Sequence, residues 1–158
     1  MKPKMIFFLL LSSLLLSCGS DDDGNANNSN SAAQTTQIAQ DGTWRVTKFI
    51  DSGDDETSDF SSYTFTFNDN GTVNASNDIR TVSGTWSVTD DSSNSSSDDD
   101  GNSSSDDDFL LLFTVSESDD FEDLNDDWDF VSVSVTKIEL IDVSGGNGGT
   151  DLLTFERN

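Results

Sequence analysis

Residues 62–68 read SYTFTFN, with Tyr63, Phe65 and Phe67 alternating strictly against Thr64 and Thr66. A period of two puts three rings on one face of an extended strand and cannot be laid along one face of a helix. Asn68-Asp69-Asn70-Gly71 follows at once, a tight-turn signal in which Asn and Gly accept positive φ, and Thr72–Ser76 supplies a returning strand. The same texture continues on both sides. Thr43–Ile50 places Trp44 and Val46 together, Thr81–Thr89 does so with Trp86 and Val88, and Phe109–Val115, Trp128–Val135, Lys137–Val143 and Leu152–Arg157 complete a set of eight short runs between turn signals. Such a chain predicts an all-β, antiparallel fold. In Trp128–Val135 the apolar phase switches from even to odd positions, which predicts a bulge near Phe130. No helix of ordinary length is predicted; between Val115 and Trp128, Ser118 caps at most a single turn carrying Phe121 and Leu124.

Residues 1–17, MKPKMIFFLLLSSLLLS, follow another rule. Lys2 and Lys4 precede an apolar run from Ile6 to Leu16 that is too short to span a bilayer as a permanent helix. The run reads as an export signal. Leu15-Leu16-Ser17-Cys18 resembles the lipobox of bacterial lipoproteins, which implies cleavage before Cys18 and acyl chains on that residue. Two or more chains anchor stably where one binds marginally. The other reading is an ordinary signal peptide with a cysteine nearby. Residues 18–41 hold one aliphatic side chain larger than alanine, Ile38, and are expected to form a disordered acidic tether. Within it, Asp21, Asp22 and Asp23 directly after the anchor resemble the signal that sends such lipoproteins to the outer face of the outer membrane; a periplasm-facing location is the alternative.

Charge narrows the partners. The 158-residue chain has a net charge of −24 and no histidine. Beyond Cys18 five basic residues face all 31 acids, 5 − 31 = −26. Such a surface repels nucleic acid. The missing histidine removes the commonest general base and transition-metal ligand. Cys18 is the only cysteine, so once lipidated it leaves no disulfide and no thiol nucleophile. A secreted hydrolase would need two carboxylates, or a Ser–Lys pair, converging in one cleft; no motif marks one, and the protein is read as non-enzymatic.

Calcium is the cation these acids suit. A diffuse, weak cation atmosphere is the favoured reading; Glu117, Asp119, Asp120, Glu122 and Asp123, set between two strands, are the candidate residues for a specific site. The word SDDDGN at 20–25 returns at 97–102, inside the octads NSSSDDDG and NSSSDDDF, so the spacing at 90–108 reads as a low-complexity insert rather than a metal loop.

The ensemble GTWRVT (42–47), YTFTF with Asn70-Gly71, GTWSVT (84–89), the Asp-Trp at 127–128 and the closing LLTFER resembles the lipocalin-like domains of small lipoproteins from Bacteroidetes-type bacteria. That resemblance covers residues 42–158 and implies an eight-stranded up-and-down barrel or strongly curved sheet. It further implies that Arg157 lies across Trp44. A barrel of eight strands is either filled by its own side chains or holds one small ligand. Trp44, Tyr63, Phe65, Phe67, Trp86, Trp128 and Arg157 are the candidate lining for a small apolar ligand, and equally a candidate core. Leu110 and Leu112 face away from that interior, which suits either a covering loop or a protein partner.

Overall fold

The computed structural model describes residues 31–90, 107–143 and 149–158. The export signal, Cys18, the three aspartates after it, most of the Ser/Asp insert and most of the SGGNGG turn lie outside that part.

Nine antiparallel strands form one sheet that closes on itself. They are β1 (Trp44–Asp51), β2 (Asp54–Asp55), β3 (Thr64–Phe67), β4 (Thr72–Ser76), β5 (Thr81–Asp90), β6 (Asp107–Phe113), β7 (Asp126–Ser134), β8 (Lys137–Val143) and β9 (Thr150–Arg157). β2 is a two-residue flap on the end of β1; the other eight are neighbours in chain order, and β9 pairs back onto β1 from Trp44↔Arg157 to Ile50↔Leu152. Closure removes the free edges that an open sheet would present. All eight runs read from the sequence are strands of this barrel.

Alternation sets the two faces. Phe65 and Phe67 of β3 point inward with Val73 and Ala75 of β4, Trp86 of β5 and Phe109, Leu111 and Phe113 of β6, all buried. The phase change in β7 is met by a register shift between Phe130 and Ser132, so that Trp128 and Val133 are both buried while Val131 stays exposed. β1 and β3 pair only at Trp44↔Phe65 and then diverge. A short helix, α2 (Thr57–Phe60), covers the widening seam; Thr57 Oγ1 accepts from the amide of Phe49 at 2.8 Å, and Phe60 is buried.

Two local expectations are corrected. Ala32–Gln40, expected to belong to the disordered tether, forms helix α1, N-capped by Ser31 and carrying buried Ala32, Thr35 and Ala39. Its apolar content is too low to hold a helix alone; the barrel supplies the missing burial, with Ile38 packed against the core. The single turn foreseen at Ser118 is a run of three turns, 116–119, 119–122 and 122–125, and Asp119 rather than Ser118 bonds forward, to the amide of Phe121. Trp128, read from the sequence as the start of a strand, lies in β7. No described helix is long and apolar enough to cross a membrane.

Candidate functional site

Each end of the barrel is stoppered by a different device. At the end where β1 begins, Gly42 takes φ +92° and turns the chain from α1 into β1. Trp44 is fully buried there, and its indole Nε1 donates to the carbonyl of Ala39 at 2.8 Å. The Arg157 guanidinium lies 5.0 Å from the Trp44 ring, donating to Asp41 at 2.7 Å and to the carbonyl of Ile38 at 3.2 Å. Cation–π contacts of this kind contribute about 0.5–2 kcal/mol. One side chain therefore ties together the last strand, the first strand and the helix beneath them.

The opposite end, the mouth, is closed by rings. Phe60 of α2 and Phe121 of the 116–125 loop meet edge to face at 5.3 Å; Tyr63 and Phe113 reach Phe121 at 4.9 and 5.0 Å, and Phe49 reaches Phe60 at 5.4 Å. Arg80 sits 5.6 Å from the Phe121 ring and pairs with Asp119. Asn125 holds the loop's return by a two-way bond with the backbone of Phe113.

Between the stoppers, Phe65, Phe67, Trp86, Phe109 and Phe155 pack ring on ring at 5.1–6.5 Å. Of the residues named from the sequence as ligand lining, Trp44, Phe65, Phe67, Trp86 and Trp128 are buried in this core and Tyr63 packs against it. Arg157 is at the α1 end, engaged with Trp44.

The mouth's rim is acidic because neighbouring strands end alike. Carboxylate oxygens of Asp126 (β7), Asp142 (β8) and Asp151 (β9) come within 4.8 Å of one another, the trio among the described acids that does so. Burial pushes the Asp126 carboxyl above its ordinary pKa, and the charges of Asp142 and Asp151 act the same way. Asp151 is held by the amide of Ser52 at 2.6 Å. The acids chosen from the sequence are distributed otherwise. Asp119 is bound to Arg80, whose hydrogen bond holds it below the usual carboxylate range. Asp123 is raised by burial and by Asp51 and Glu122. Glu117, Asp120 and Glu122 do not join them in a common cluster. Sequence spacing favoured the dense run 117–123, whereas the converging trio is drawn from three strands and is visible only once their registers are known.

A different recess lies outside the barrel, beside the mouth. It holds about 580 Å³ and is lined by Ser62, Thr64, Ser76, Asn77, Asp78 and Ile79. On β6, Leu110 and Leu112 face outward at 40% and 48% exposure, as the strand alternation required.

Residues 41–120 match the family model described as a lipocalin-like domain. The chain belongs to the lipocalin-like domain family. The matched part starts at Asp41, the partner of Arg157, and runs through the first six strands into the loop that carries Phe121. A solved structure of a duf4847 family protein from Bacteroides vulgatus is similar at 17% identity over 77% of this chain and 96% of its own, with a TM-score of 0.47. No curated protein matches the sequence.

Proposed function

We propose that this lipocalin-like chain is a non-enzymatic binding module, lipid-anchored through Cys18, that works from the outside of its barrel. The observation that carries the reading is the ring-filled interior stoppered at both ends. Trp44, Phe65 and Trp86 are buried and engaged with neighbouring rings or backbone, which favours a core role over the lining of a small apolar ligand site. Leu110 and Leu112 support an exterior role, standing uncovered beside Thr85, Ser87 and Asp127 of the adjoining strands. Apolar side chains paired on an otherwise polar sheet face suit a protein partner. Asp21, Asp22 and Asp23 support presentation at the cell surface, and calcium enters only as the diffuse atmosphere of a chain carrying −24.

Two measurements test this. Native mass spectrometry of the protein from its host should show no non-covalently retained lipid or small molecule beyond the acyl chains on Cys18; a stoichiometric bound apolar ligand would overturn the exterior reading. Cys18→Ala should move the chain out of the membrane fraction, and changing the three aspartates to alanine should remove its protease accessibility on whole cells. Unaltered membrane attachment or exposure would sink the corresponding part.

A further inference from the structure

The recess beside the mouth has a construction that the barrel's stability does not require. Ile79, at its lip, is 94% exposed, the most exposed large apolar side chain among the described residues. It nevertheless sits on a braced turn. Asn77 donates its amide to the carbonyl of Arg80 at 3.0 Å, accepts from the amides of Ile79 and Arg80 at 2.9 and 2.8 Å, and donates Nδ2 to Ser62 at 3.2 Å. Arg80, the next residue, is fixed by Asp119 and the Phe121 ring. An apolar group is thus held out into water on a rigid support.

The floor beneath it is polar and uncharged. Thr64 and Ser76 are direct partners on β3 and β4, both half-buried, and neither hydroxyl bonds to another described residue. The outward side chains beyond them are Thr66 with Asn74 and, on β5, Thr81 and Ser83, so this face carries hydroxyls and amides while the rest of the surface is rich in carboxylates. Asp78 supplies one exposed acceptor at the edge.

We propose that this groove binds a neutral oligosaccharide. Its volume lies within the range of about 300–1,000 Å³ that small-molecule sites occupy. A sugar ring offers a C–H face for Ile79 and hydroxyls on its edge for Thr64, Ser76 and Asp78. Anionic glycans are repelled by the net charge of −24. Cations find denser carboxylates at the rim trio than at Asp78 alone. An extended peptide would need a row of open backbone groups, and here the floor is the face of β3 and β4, whose ladder is closed between them. The site lies apart from Leu110 and Leu112, so it stands or falls independently of a partner at those leucines.

The test is NMR on the full chain, titrated with oligomers of α-glucan, β-glucan, xylan and mannan and, as an anionic control, of galacturonic acid. At least one neutral oligomer should shift the amide signals of Thr64, Ser76 and Ile79, while the acidic one does not. Ile79→Ala and the pair Thr64→Ala/Ser76→Ala should each weaken that binding about tenfold, equivalent to ~1.4 kcal/mol. Both sets of side chains lie at the surface, and an unchanged melting midpoint shows that the fold is kept. No shift with any neutral oligomer, binding unchanged in both variants, or shifts produced by an extended neutral peptide and by no sugar would overturn the proposal.

Discussion

At Trp44 a single side chain carries a hydrogen bond, a cation–π contact and a core position, and the three separate by substitution. Trp44→Phe keeps the ring's burial and removes the indole donor, leaving the Ala39 carbonyl unpaired. An orphaned buried acceptor costs about 1–3 kcal/mol. We expect that cost to fall on α1, read as faster hydrogen exchange at 35–40 with the β1 amides still protected. The rim aspartates behave oppositely, since removing their charge helps. Asp126, Asp123 and Asp129 all have folded pKa values raised first by burial. An acid raised in this way binds more protons folded than unfolded, so its contribution to stability grows as the pH falls toward the raised pKa and is lost above it. Asp119 and Glu139, held low by Arg80 and by Lys137 with Ser132, contribute above the ordinary carboxylate range and lose that contribution as pH falls through their own lowered values. The melting midpoint should therefore rise as the pH falls through the raised carboxyl values toward the ordinary carboxylate range, and decline below that range. Asp126→Asn should raise the midpoint at pH 8, by less than about 1 kcal/mol after solvent screening, and flatten the rise.

Among the elements, the repeated hexamers GTWRVT and GTWSVT show what a sequence discloses and what it withholds. The inward tryptophan was legible in both from alternation alone, and Trp44 and Trp86 are indeed both buried. The glycines do unrelated things. Gly42 is needed for its positive φ, whereas a Cβ on Gly84 would press into the carbonyl oxygen of Leu112 and lie 2.9 Å from the Phe113 ring. Gly84→Ala should consequently push β5 and β6 apart, at about 1–3 kcal/mol for overpacking, with the loss visible in a urea melt. The eight strands were readable because most carry a period of two and all are short runs between turn signals. α1 was not, because Ala32, Thr35 and Ala39 look like a tether until a barrel stands beneath them. The rim trio and the groove were hidden for a related reason, since each takes residues from separate strands or loops that register alone brings together.

For the molecule as a whole, closure of the mouth is the property most open to experiment. Phe121→Ala removes the ring on which Phe60, Tyr63, Phe65 and Phe113 converge. Its cost should be about 3–5 kcal/mol, and Nile red, dark with the parent protein, should fluoresce as the interior becomes reachable. The insert asks less of the fold. Asp90 and Asp107 are already direct partners, and residues 92–105 contain no apolar side chain. Replacing those residues with a short turn should keep the barrel and raise its midpoint slightly, since a shorter closure loses about 1 kcal/mol less entropy. The seam between β1 and β9 sets a further condition, on time. The first and last strands hold each other, so a chain still being made has two open edges, β1 and β8, until residue 157 emerges. The barrel therefore cannot be completed fragment by fragment as synthesis proceeds; its closure waits for the eight-residue strand β9, to which β1 and β8 both pair.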